Sequence, residues 1–165
     1  MPGLPNLSTA DAKVSECERI LAYTFTNKHL ILEALQMQGS MVSTGAPVLF
    51  DGQILNVPLN KKLASHGDIV FDFIVNSLWL THPNPASVNF DYLKQRLLTR
   101  NALNKRGVSL GLDRCIMVNP GTGFVSKDMM AETFEAVIGA VNLDGGVGAA
   151  QGVVEHLGFL EAPLL

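Results

Sequence analysis

Residues 128–146 constrain the fold of this chain more than any other stretch; they read Asp-Met-Met-Ala-Glu-Thr-Phe-Glu-Ala-Val-Ile-Gly-Ala-Val-Asn-Leu-Asp-Gly-Gly. Glu132 and Glu135 are three apart, which puts them on one face of a helix. Ala136, Val137, Ile138, Ala140, Val141 and Leu143 continue an apolar run, so the two carboxylates ride on an element that otherwise favours burial. An acid fixed on a buried helix costs free energy unless a partner neutralises it, and a divalent cation is a common partner. The alternative is a solvated acidic stripe on an amphipathic helix. Asp144-Gly145-Gly146 closes the segment with a C-terminal glycine signal.

Upstream the pattern is mostly helical. Helices are expected at about 15–21 and 27–37, followed by a polar segment, Gln36–Ser43. Pro47-Val-Leu-Phe-Asp51-Gly52-Gln-Ile-Leu alternates around an Asp-Gly pair, a strong short hairpin signal. Such an insert, just before the next helix, is either a flap over a site or a plain surface hairpin. A long helix is expected from Lys61 to Leu80, stopping before His82-Pro83-Asn84-Pro85. Another is expected from Phe90 to Gly107 and a last one from Val147 to Leu157. The Phe90–Gly107 segment carries Lys94, Arg96, Arg100, Lys105 and Arg106, the densest basic run, which reads as a solvated face or as a set of phosphate contacts.

Several segments together resemble the catalytic domain of the ribonuclease III family. Residues 131–146 are similar to its second signature, A-D-x-x-E-A-x-x-G-A followed by Leu-Asp-Gly-Gly. Asn60-Lys-Lys-Leu63-Ala-Ser-His-Gly67-Asp68 is similar to its main signature, N-E-R-L-E-x-x-G-D. Glu18, Leu21, Tyr23, Phe25 and Asn27, with Leu30 to Leu35, resemble its first helix pair. Leu97-Leu98, Asn101-Ala102-Leu103 and Leu110-Gly111-Leu112-Asp113 resemble the helix leading to its L-G-L turn. The resemblance covers about residues 16–158 in the family's order. It implies an all-α, ribonuclease III-like helical domain at 15–160 behind an N-terminal extension at 1–14, with a short β-hairpin insert near residues 47–58. It also implies magnesium-dependent cleavage of double-stranded RNA in a cleft between two subunits.

The resemblance carries four metal-binding carboxylates, and this chain departs from them. Asp68 and Glu135 remain, the Asp of the second signature is Glu132, and the first Glu of the main signature is Ala64. The family's other Glu, beside the Asn, is Lys61, whose charge works against a cation. The implied catalytic pair is therefore Asp68 and Glu135, and the implied metal set is Asp68, Glu132 and Glu135, converging within a few ångströms. Magnesium is expected to bind weakly or not at all, and normal cleavage is disfavoured. Asp72 lies one turn beyond Asp68 and is either a shifted replacement ligand or a polar contact at a subunit boundary. His66 lies about 200° around the helix from Asp68, so a hydrogen-bonded core histidine is the reading preferred over a general base. Lys94, Arg96 and Arg100 are the expected RNA contacts.

Composition sets the remaining expectations. Apolar residues make up 47% and charged residues 16%, sparse charge for a lone surface, so a homodimer is expected. Phe71, Ile74, Val75 and Leu78 are the candidates for an interface burying at least about 1,200 Å². No run of roughly 18–20 apolar residues suggests a membrane span. The first residues lack the pattern of a secretory or mitochondrial leader, so a cytoplasmic or nuclear protein is expected rather than a secreted one. Two cysteines, Cys17 and Cys115, are too few for a disulfide framework and read as buried thiols. Three function classes stay open: a double-stranded-RNA nuclease with a rearranged metal site, a non-catalytic RNA or ribosome scaffold, and a repurposed fold whose cleft takes a small apolar ligand.

Overall fold

A computed structural model describes residues 7–39, 45–81, 89–159 and 161; the His82–Pro85 stop and much of the Gln36–Ser43 segment lie outside them. The described elements are α1 (Ala10–Leu21), α2 (Lys28–Ala34), β1 (Ala46–Phe50), β2 (Gln53–Val57), α3 (Lys61–Thr81), α4 (Phe90–Leu97), α5 (Arg100–Leu110) and α6 (Lys127–His156), with a 3-10 turn at Leu112–Cys115. The architecture is the expected helical domain with a hairpin insert.

Helix starts are set by side-chain caps, which satisfy N–H groups that have no partner inside the helix. Thr9, Asn27, Asn89, Thr99 and Ser126 each accept a backbone N–H two or three residues on. Two expected boundaries move for this reason. The first helix begins at Ala10, not Ser15, because Thr9 caps it. The expected Phe90–Gly107 helix is two helices, because Thr99 adopts an extended backbone and caps α5. The second helix stops at Ala34 instead of Met37, since Leu35 and Met37 exchange backbone hydrogen bonds with Met117. The Gly-Gly stop is real but local: Gly146 leaves helical geometry at φ 85 and ψ 177, and α6 resumes beyond it.

Asp51 and Gly52 both have positive φ, 50° and 74°, the two-residue turn whose twist suits a hairpin. The register pairs Phe50 with Gln53 and Val48 with Leu55. Asp51 N–H donates to Asp11 Oδ1, and Val48 and Val57 enter the core, so the hairpin lies against α1 and α2 as a surface element. That packing favours the plain surface hairpin over the flap.

The centre of the domain is the α3–α6 crossing. A Cβ built on Gly67 would stand 1.7 Å from the Glu135 carbonyl oxygen, and one on Gly139 would stand 2.7 Å from the Leu63 carbonyl oxygen. Only glycine permits backbones this close. Gly67 turns its side of α3 inward, and Phe71 meets Phe134 and Phe159 there at centroid distances of 5.8 and 5.1 Å. This corrects the expected interface, because Phe71, Ile74 and Val75 fill the chain's own core, and Leu78 is partly buried against it. The apolar residues α3 leaves outside are Ile69, Phe73 and Leu80, each at least 60% exposed.

By length and composition α6 is apolar enough to cross a membrane, a test that the buried core helix of a folded domain also passes. Its Ala, Val and Ile residues raise the mean hydropathy. In this fold, Met130, Phe134, Val137, Ile138 and Val141 are buried core residues.

Candidate functional site

The glycine crossing determines which acids become neighbours. Asp68 follows Gly67 on α3, and Glu135 contributes the carbonyl that Gly67 approaches on α6. Burial pushes the Glu135 carboxyl up to about 7, Asp68 adds to this, Arg100 opposes it, and Glu132 and Asp72 add further. Asp68, Glu132 and Asp72 thus all act on Glu135.

Their cationic partners come from distant segments. Lys61 Nζ donates to Glu132 Oε2 at 2.5 Å. Arg100 Nη1 stands 3.2 Å from Asp128 Oδ1 and 4.0 Å from Glu132 Oε1. Lys94 Nζ donates to Asp72 Oδ2 at 2.7 Å, and that hydrogen bond raises the Lys94 pKa. Two of the three expected RNA contacts, Lys94 and Arg100, are therefore turned into the acidic cluster. Arg96, the third, donates to the Tyr92 hydroxyl at 3.2 Å and leaves that cluster alone.

Ala64 lies one turn before Asp68 and is 5% exposed, contributing a methyl group and no oxygen. Asp72 is held by Lys94, so a role as replacement ligand requires breaking that pair. Among the described residues, no three His, Cys, Asp or Glu side chains are gathered closely enough to hold a metal ion. Asp68 and Glu132 both act electrostatically on Glu135, while Glu132 is also drawn to Lys61 and Arg100. His66 Nε2 stands 2.9 Å from Asn142 Oδ1, a half-buried hydrogen bond to α6.

Two polar residues organise the surroundings. Asn60 is fully buried, and its amide donates to the Ala34 carbonyl and to Thr133 Oγ1, tying α2 and α6 to the start of α3. Asp144, read from sequence only as part of a stop signal, accepts from the Tyr23 hydroxyl and from the backbone N–H groups of Thr26 and Asn27.

The raised Glu135 pKa gives a stability prediction with a definite sign. The folded value, about 7, exceeds the ordinary 4.5, so between those values the folded protein holds more protons than the unfolded one. Stability should fall as pH rises through that window and level off above it. Glu135→Gln should flatten the profile. Urea midpoints at intervals from pH 4.5 to 8 test this; identical slopes for wild type and variant would contradict it.

Comparison with known proteins supplies the context. A family model described as Ribonuclease-III-like matches residues 51–160. The chain is 29% identical over 142 residues to Ribonuclease 3 of Rhodopirellula baltica, covering 83% of this chain and 48% of that protein. Against Ribonuclease 3 of Proteus mirabilis it is 23% identical over 146 residues, covering 86% and 58%. The chain thus spans about half the length of the curated relatives it matches. The crystal structure of the nuclease domain of ribonuclease III from Campylobacter jejuni is similar at a TM-score of 0.67 and 24% identity, covering 87% of this chain and 91% of that one. A second structure of the same nuclease domain, concerned with flexibility in a region involved in dimer formation, gives 0.68 at 23% identity, covering 87% and 94%.

Proposed function

Because the chain belongs to the ribonuclease III-like family, we propose that it engages double-stranded RNA as a homodimer while its metal centre is too depleted for efficient cleavage. The observation that carries this reading is the Lys61 ammonium on Glu132, one of the carboxylates the sequence resemblance assigns to the metal. Magnesium demands near-octahedral oxygen geometry. Ala64 offers no oxygen, and Glu132 is occupied by Lys61 and Arg100, so among the described residues Asp68 and Glu135 are the donors left without an ammonium or guanidinium at bonding distance. The residues present do not fit the four-carboxylate site, and binding of the ion is weak. Ile69, Phe73 and Leu80 form the apolar face available to a second subunit, since the residues first expected there are core.

A second reading has one observation in its favour. A cavity of about 370 Å³ lies beside Lys61, lined by Met37, Leu59 and Met129 together with Asn119 and Thr122. Its volume falls at the small end of ligand pockets, and its lining suits a small, largely apolar molecule.

Fluorescence anisotropy with a long RNA duplex at low salt, with and without magnesium, tests the primary reading. Wild type should retain the duplex, lose it as salt rises in proportion to the phosphates contacted, and leave it uncut. Robust cleavage that disappears in Glu135→Gln would overturn the depleted-centre reading. Failure to retain duplex at low salt would overturn the RNA reading and leave the small-molecule one.

A further inference from the structure

The break between α4 and α5 does more than correct a helix boundary. Beside it lies a cavity of about 360 Å³ lined by Arg96, Lys105, Arg106 and Ser109, with Leu97 and Leu110 as apolar lining. Three of the chain's 12 Lys and Arg residues meet there, in a protein of net charge −3. Among the described residues, no carboxylate lines the cavity.

The three cations are held differently. Arg106 is half-buried; it donates Nη1 to the Leu157 carbonyl at 2.9 Å and stacks 4.3 Å from the Phe159 ring centroid. A guanidinium has five donors, and Leu157 takes one. Glu161 acts electrostatically on Arg106 from the far end of the chain. Arg96 rests on Tyr92, with its guanidinium carbon 5.7 Å from the ring centroid. Lys105 is exposed at the rim. Three cations line the cavity and Glu161 acts on one of them, Arg106, so the lining is positively charged. A phosphomonoester carries about −1.5 to −2 near neutral pH, a closer match than the single charge of a backbone phosphodiester.

We propose that the cavity between α4 and α5 is a phosphomonoester site, in which Arg96, Lys105 and Arg106 hold the phosphate oxygens and Ser109 adds a hydroxyl donor. It deepens the RNA reading insofar as a terminal phosphate of a duplex is one source of the group. A free nucleotide or inorganic phosphate is the other.

The test compares binding of AMP, adenosine, inorganic phosphate, a 5′-phosphorylated RNA duplex and the same duplex with 5′-hydroxyl ends, at about 0.15 M salt, where exposed charges beyond roughly 8 Å are screened. AMP should bind more tightly than adenosine. Lys105→Glu and Arg96→Glu should each weaken AMP binding by about tenfold or more, the scale of one charge-assisted hydrogen bond. Lys127→Glu, an equal charge change outside the cavity, should leave it within about twofold. Preference for the phosphorylated duplex, abolished by Lys105→Glu, identifies an RNA end as the source. Binding of AMP or inorganic phosphate without that preference identifies a free phosphate. Wild type that binds AMP but retains no duplex upholds the cavity site and ends the RNA reading. Equal affinity for AMP and adenosine, or an equal loss in Lys127→Glu and Lys105→Glu, would overturn the proposal.

Discussion

The triple variant Lys61→Glu, Ala64→Glu, Glu132→Asp is expected to cut a long RNA duplex in magnesium at roughly 10²-fold or more above the wild-type rate, the scale on which single positioned charge-stabilising groups act. Each change removes one named obstacle. Lys61→Glu releases the ammonium from Glu132. Glu132→Asp shortens the side chain by one methylene, to the length the family's signature carries. Ala64→Glu puts a carboxylate one turn from Asp68 on α3. Ala64 is buried, so a thermal melt must accompany the assay to show that the variant folds. Lys61→Ala alone serves as the milder probe, and it should strengthen magnesium binding by calorimetry without adding any bulk. A folded triple variant that neither binds magnesium nor cuts, together with an unchanged Lys61→Ala, would refute the idea that these positions disable the centre.

Gly67→Ala should cost about 3 kcal/mol or more, at or above the upper range for an added methyl group in a packed core. The new Cβ would meet the Glu135 carbonyl at 1.7 Å, and a backbone oxygen in mid-helix has no rotamer by which to withdraw. The α3–α6 pair must separate, which also opens the contact with Phe134 and Phe159. For a chain of this length each kcal/mol lowers the melting temperature by roughly 2–4 °C, so a fall of about 6–12 °C is expected. Gly148→Ala provides the comparison, because its built Cβ has nothing within 4 Å and alanine favours helix. A Gly67→Ala protein that melts within about 2 °C of wild type would show that the crossing is looser than the geometry implies.

Local signals carried much of this molecule. The Asp51-Gly52 pair located the hairpin turn, and the 3.6-residue period placed α3 and α6. Glu132 and Glu135 were found because three-residue spacing on an apolar helix is visible in the sequence alone. Periodicity erred where it ran across a cap: Leu98-Thr99 does not interrupt the apolar pattern of residues 90–107, although Thr99 is the residue that ends it. It also failed to tell core from interface. Phe71, Ile74 and Val75 are apolar on either reading, and only the approach of α6 at Gly67 shows which face of α3 is inward. The partners of the acids were hidden for a different reason. Lys61 and Glu132 are 71 residues apart, and no local pattern encodes that pairing. The densest basic run therefore read as a single strip, whereas folding sends Lys94 and Arg100 toward carboxylates and Arg96 toward the cavity beside α5.

Lys13 on α1 donates to the carbonyls of Arg114 and Ile116, 101 and 103 residues later. The loop after α1 is fastened by Asp144, 121 residues beyond Tyr23, and the end of α2 bridges to Met117. The first helices of the chain thus take their seats from its second half. On a ribosome adding about 5–20 residues per second, α1 waits roughly 5–20 s for Arg114 and Ile116 to be made. Through that interval Val14, Ile20 and Leu21 have only α2 and the hairpin to pack against, so a nascent chain halted before residue 110 presents them to chaperones and proteases.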